Sequence, residues 1–95
     1  MNTNEALNKL QQIKPYLQQE YAVKRVGLFG STARGTHTNN SDIDVLVEFE
    51  RPVGVEFIDL SYLLEKELNR KVDVVSRKGI KDKYFKEIEK DIVYV

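Results

Sequence analysis

The sequence predicts an α/β protein of the α+β, two-layer kind: a small mixed β-sheet packed by helices. Two observations predict it. Segments whose apolar residues recur at spacings of three and four alternate with short β-branched runs, in the order α-β-α-β-α-β-α. Helices alternating with strands in this way pack on a sheet. The second is size, since 95 residues make one domain over residues 1–95 with three or four short strands.

The elements follow in order. Asn4 to Tyr21 reads as a helix, with Leu7, Leu10, Ile13, Leu17 and Tyr21 on one stripe. Pro15 falls inside that stripe and is expected to kink the helix or start a second one. Val23 to Phe29 is a strand that Gly30 ends, and Ser31 to Arg34 starts a short helix closed by Gly35. Thr36 to Ser41 is a polar loop. Asp42 to Phe49 is the clearest strand: Ile43, Val45, Val47 and Phe49 alternate with Asp42, Asp44, Leu46 and Glu48. A turn at Arg51–Gly54 leads into a helix from Glu56 to Asn69, with Phe57, Leu60, Leu64 and Leu68 in line. Lys71 to Val75 is a short strand. Ile80 to Lys90 is a last amphipathic helix, with Ile80, Tyr84 and Ile88 expected to face inward. Ile92 to Val95 is expected to dock on the core or add an edge strand.

Composition narrows the function. Lys plus Arg and Asp plus Glu each total 15, so the net charge is zero. Bulk charge therefore holds neither nucleic acid nor an anionic membrane. There is no Cys, which removes disulfides, thiolate zinc sites and a Cys nucleophile and fits a reducing cytoplasm. One His excludes a His-rich metal site, so a metal would sit on oxygen ligands. No apolar run approaches the ~18 residues a membrane span needs. The start, Met1 to Glu5, lacks the features of a signal peptide.

Three features carry chemistry. Gly30-Ser31-Thr32-Ala33-Arg34-Gly35 stands between a strand and a short helix, where free N–H groups bind phosphate. The Ser31 hydroxyl suits a phosphate oxygen, and Arg34 can neutralise one with paired N–H bonds. The same run also suits an ordinary turn with Ser31 as helix cap. Asp42-Ile43-Asp44 opens a strand, so its two carboxylates share a face and repel unless a cation lies between them. Such a pair suits Mg²⁺ with its waters and substrate phosphates, and equally two solvated acids at a strand edge. Asp73 lies inside the run Val72-Asp73-Val74-Val75. It completes a carboxylate triad if its strand lies beside Asp42–Phe49, and otherwise faces water.

Ten residues, Thr32 to Ser41, separate Gly30-Ser31 from Asp42-Ile43-Asp44, and Asp73 follows on a later strand. This arrangement resembles the nucleotidyltransferase superfamily of DNA polymerase β and the aminoglycoside nucleotidyltransferases. The run GSTARG…SDIDVLV and the short length resemble the minimal nucleotidyltransferase (MNT) family, the antitoxin half of HEPN/MNT toxin–antitoxin pairs. The resemblance covers nearly the whole chain and implies a polymerase β-like nucleotidyltransferase fold. It implies ATP as substrate and Mg²⁺ as cofactor, two ions in number. Asp42 and Asp44 would bridge both ions, and Asp73 would hold the one on the acceptor side and help deprotonate the acceptor hydroxyl. Gly30 and Ser31 would hold the β- and γ-phosphates, and Arg34 would offset charge on the pyrophosphate.

The resemblance also implies a partner. The acceptor would be a tyrosine hydroxyl of a cognate HEPN ribonuclease toxin, neutralised by AMP transfer in a cytoplasmic hetero-oligomer. The length is expected to leave no room for a separate acceptor-gripping domain. Two other readings stay open: a small-molecule nucleotidyltransferase with a partner subunit, for which Glu48 and Glu50 are the acids to consider, and an antitoxin that masks its toxin by binding alone. His37 is expected to be solvent-exposed. The five tyrosines, Tyr16, Tyr21, Tyr62, Tyr84 and Tyr94, are expected at the core edge, and Lys83–Glu87 is expected to pair on a solvated face.

Overall fold

Eight elements alternate along residues 1–95 of the computed structural model. They are α1 (Thr3–Tyr21), β1 (Val23–Leu28), α2 (Gly30–Arg34), β2 (Ile43–Phe49), α3 (Glu56–Leu68), β3 (Val72–Ser76), α4 (Asp82–Glu89) and β4 (Val93–Tyr94). The strands form one sheet in the order β3-β2-β1-β4. β1 is antiparallel to both β2 and β4, whereas β2 and β3 are parallel, with α3 as the crossover between them. The mixed α+β sheet predicted above is the one observed.

α1 begins with a capping box. The Asn2 side chain accepts the Glu5 N–H at 2.8 Å, and the Glu5 carboxylate accepts the Asn2 N–H at 3.3 Å. The helix continues unbroken through Pro15 rather than dividing there. Pro15 and Gln11, the residue whose carbonyl loses its partner, are both exposed, so water can serve that carbonyl. Leu10 on one side and Leu17 on the other are fully buried, and their packing holds both halves in one helix.

The core lies between the sheet and the α1/α3 layer. Ile43, Val45 and Val47 of β2 and Val26 and Leu28 of β1 meet Ala6, Leu10 and Leu17 of α1 and Leu60, Leu64 and Leu68 of α3. The period of two then turns Asp44, Leu46 and Glu48 to the other face of β2. α4 differs from its predicted phase. Phe85 is its buried residue, whereas Tyr84 is 55% exposed. The helix starts at Asp82, and the Arg77 guanidinium lies 3.7 Å over the Phe85 ring, which selects Phe85 as the inward side chain. Four of the five tyrosines are exposed; Tyr21 alone is half-buried, edge-on to Tyr16. The pair Lys83–Glu87 is not formed; α4 is tied instead through Arg77–Asp82 at 3.2 Å.

The terminal residues add the expected edge strand, with Gly27 opposite Tyr94 and Leu28 opposite Val93. Gly27 permits this approach, since a Cβ there would lie 2.6 Å from the Val93 carbonyl oxygen. Gly27→Val is expected to displace β4 and lower stability by about 1–3 kcal/mol. Faster amide exchange at Val93 and Val95 in that variant is the measurement that checks it. No helix is long and apolar enough to cross a membrane.

Candidate active site

The site grows from the way β1, α2 and β2 hold Asp44. The Phe29 N–H, just past β1, donates to the Asp44 carbonyl at 3.1 Å. The Asp44 N–H donates to the Thr32 hydroxyl, also at 3.1 Å. Thr32 is fully buried, and its own carbonyl accepts the Thr3 hydroxyl at 2.6 Å. Both backbone groups of Asp44 are therefore fixed, one by each side of the turn into α2. Gly30 makes that turn with φ +60°, a left-handed conformation that suits glycine. A Cβ at Gly30 would fall 2.7 Å from Asp44 Oδ2, so the start of α2 lies directly against the carboxylate.

Asp73 arrives from the parallel strand. Asp44 and Asp73 are register partners of β2 and β3, and neighbouring strands lie ~4.8 Å apart. Asp42 stands one residue before β2 and is exposed. The loop that delivers it is pinned by Arg70, whose Nη2 donates to the carbonyls of Ser41 at 2.6 Å and Thr38 at 3.1 Å. Burial and then the carboxylates of Asp73 and Asp42 push the Asp44 pKa up, while Arg34 and His37 pull it down. Three acids and two bases thus share one electrostatic neighbourhood.

The structure brings Gly30, Asp44 and Asp73 together directly, with Asp42 and Arg34 within electrostatic reach. It does not gather three acidic or imidazole side chains closely enough to enclose an ion by themselves. Arg34 reaches away from the strands to Asp91, with Nη1 at 2.9 Å from Oδ2. Ser31 is not the helix cap: Phe29 takes that position, without a side-chain hydrogen bond, so the Ser31 hydroxyl has no capping role. Glu48 is paired with Arg25 at 3.0 Å, and Glu50 is exposed.

His37 is not solvent-exposed as expected. It is half-buried, with Nε2 2.7 Å from the Met1 carbonyl and Nδ1 buried without a partner. The chain start folds over it, a contact 36 residues apart in sequence. Thr32 and Arg70 also shape the site, and no local sequence signal marks either as part of it. Thr32 sits inside the glycine-rich run and Arg70 between a helix and an acidic strand, but their partners come from other elements. Thr32→Val keeps the shape, removes the acceptor for the Asp44 N–H, and is expected to cost about 1–3 kcal/mol. Urea unfolding, together with exchange of the Asp44 amide, checks this.

The family model described as the nucleotidyltransferase domain matches residues 10–95. The chain belongs to the nucleotidyltransferase domain family. It is a nucleotidyltransferase, and the expected fold and activity class stand. MJ1379 of Methanocaldococcus jannaschii is 44% identical over 90 residues, covering 90% of each chain. The protein adenylyltransferase MntA of Thermococcus cleftensis is 37% identical over 83 residues, covering 86% of this chain and 84% of MntA. A solved structure described as a minimal nucleotidyltransferase superposes with a TM-score of 0.82 at 30% identity, over 98% of this chain and 95% of that one. A toxin–antitoxin solved with AMP-PNP gives 0.60 at 27% identity, over 85% and 61%. A tri-AMPylated Shewanella oneidensis HEPN toxin in complex with MNT antitoxin gives 0.66 at 20% identity, over 93% and 68%, a likeness of fold.

Proposed function

We propose that this nucleotidyltransferase is a single-domain, cytoplasmic antitoxin. It transfers AMP from ATP to a tyrosine hydroxyl of a HEPN ribonuclease toxin and so neutralises it. One observation carries the reading: Asp44 and Asp73 lie side by side on parallel strands, with the Gly30 turn pressed against Asp44. The relative named protein adenylyltransferase and the toxin–antitoxin solved with AMP-PNP support the class of reaction and of partner.

The donor set fits Mg²⁺. Asp44 bears the repulsion of two carboxylates, which Arg34 and His37 offset only in part, and the acids are open to water rather than closed around an ion. That suits a cation that keeps several waters and adds substrate phosphate oxygens. Asp42 and Asp44 would hold two Mg²⁺ ions, with Asp73 as the ligand on the acceptor side. Bound there, Mg²⁺ supplies charge neutralisation to the phosphate and the leaving oxygens.

The chain's own residues do the rest. The N–H groups behind Gly30 and the Ser31 hydroxyl bind and orient the β- and γ-phosphates. Arg34 leaves Asp91 to share the charge that builds on the pyrophosphate. Asp73 takes the proton of the acceptor hydroxyl. The acceptor oxygen then bonds to the α-phosphorus as its bond to the bridging oxygen breaks, and pyrophosphate departs. Positioning and charge compensation supply the rate. The added AMP brings bulk and negative charge to the toxin, which repels RNA.

The test is the intact mass of the HEPN partner after incubation with this protein, ATP and Mg²⁺. A gain of one or more AMP units on tyrosine, absent with the Asp42→Ala/Asp44→Ala double variant, supports the reading. No gain, with tight binding and a double variant that still neutralises, points instead to an antitoxin that masks its toxin.

A further inference from the structure

A cleft of about 400 Å³ opens at the other end of the parallel strand pair. The loop after β2, with Arg51, faces the turn after β3, with Arg77 and Lys78. Crevices outside the carboxyl ends of parallel strands are common ligand sites. Asp44 and Asp73 are at the opposite, amino ends of the same strands. Glu48 at the cleft stands four positions beyond Asp44, roughly 13 Å along the strand.

The lining has a definite chemistry. Phe49 and Phe57 meet edge to face, with centroids 6.3 Å apart, and form an aromatic wall. Arg51 and Lys78 are exposed and enter no ion pair. Arg77 is held by Asp82 and the Phe85 ring. The one acid of the lining, Glu48, is already neutralised by Arg25. Glu56, beside the loop, accepts the Gly54 N–H at 2.8 Å. In a chain of zero net charge, the cleft therefore presents Lys78 and Arg51 beside aromatic rings, neither of them in an ion pair though Arg51 lies in the field of Glu56, and the one acid of the lining is paired.

We infer that this cleft docks an extended acidic segment of the acceptor protein. The inference rests on the protein-adenylyltransferase reading and deepens it. Carboxylates of the segment pair with Arg51 and Lys78, and an aromatic or apolar side chain lies against Phe49 and Phe57. The cleft selects the acceptor, and the carboxylates at the other end of the strands perform the transfer.

A Glu–Tyr random copolymer and a Lys–Tyr copolymer, both fluorescently labelled, are titrated against the full chain without ATP. The Glu–Tyr copolymer is expected to bind, and to bind about tenfold or more weakly to Arg51→Glu/Lys78→Glu. Amide shifts are expected at residues 51–54 and 77–79. Both substituted residues are exposed, and an unchanged thermal melt shows that the variant is folded. Arg51→Gln/Lys78→Gln is expected to fall between the two. Equal affinity of wild type and the charge-reversed variant, or shifts confined to other residues, overturns the inference. So does displacement of the copolymer by inorganic phosphate at equal ionic strength, which marks a phosphate site instead. Copolymer binding at the cleft, together with no AMP gain on the HEPN partner in the mass assay, retains the cleft and sinks the adenylyltransferase reading, so the two failures are distinct.

Discussion

Asp44→Asn is expected to lower nucleotidyl transfer by about 10²–10³-fold or more, because a preorganised charge at the reacting phosphate is lost. The fold is expected to survive. The backbone of Asp44 is held by Phe29 and Thr32, and the amide keeps the side chain's size. The same substitution has a signature in stability that an ordinary surface change would not show. The folded-state pKa of Asp44 lies above its ordinary value, chiefly through burial and then through Asp73 and Asp42. The folded chain therefore holds that proton more tightly than the unfolded chain. This contribution to stability is present at low pH and is lost as pH rises from the ordinary carboxylate range through the raised folded pKa. Asp44→Asn is not subject to that loss. Thermal melts in EDTA are expected to show the variant gaining on wild type as pH rises from 3 to 7, with the gain levelling once Asp44 is ionised.

Gly30→Val is expected to remove transfer and stability together. A β-branched residue at φ +60° carries backbone strain of about 1–3 kcal/mol. For a domain this small that corresponds to roughly 4–8 °C of melting temperature per kcal/mol. Its Cβ would also lie 2.7 Å from Asp44 Oδ2, so the carboxylate must move or the turn must open. Either displaces the groups assigned to the phosphates, and transfer is expected to fall by about 10²-fold. Gly35→Ala separates the two effects. Gly35 has φ +76°, but a Cβ there meets only the Thr3 hydroxyl oxygen at 3.6 Å, an ordinary contact. It is expected to lower the melting temperature and leave transfer largely intact. Equal losses of transfer in the two variants would mean that strain alone, and not the approach to Asp44, governs the site.

The local features of the fold could be read from the residues. The stripe of Leu7, Leu10, Ile13 and Leu17 announces the first helix, the alternation from Ile43 to Phe49 announces its strand, and the leucines of α3 recur at helical spacing. Features set by distant partners could not. One residue of helical phase, 100°, separates Tyr84 from Phe85, and the stacking of Arg77 decided between them. Pro15 stays within one helix because buried leucines lie on both sides of it. His37 is covered by the chain start, a contact that no local pattern contains.

The candidate site divides in the same way. The spacing of Gly30, Asp42, Asp44 and Asp73 was evident from the residues because each carries its chemistry in its own side chain. That Asp73 stands in register with Asp44 depends on a parallel crossover through α3. The Thr32 hydroxyl that holds the Asp44 N–H is a contact between α2 and β2. Neither is visible until the strands are paired.

The central claim is that nucleotide and divalent cation meet at Gly30, Asp44 and Asp73. The most direct measurement is the ¹⁵N spectrum of the chain titrated with ATP and trace Mn²⁺, a paramagnetic substitute for Mg²⁺. Selective broadening of the Gly30, Ser31, Asp44 and Asp73 amides, abolished in Asp42→Ala/Asp44→Ala, is the predicted result. Broadening centred on other residues, or unchanged in the double variant, would contradict the account.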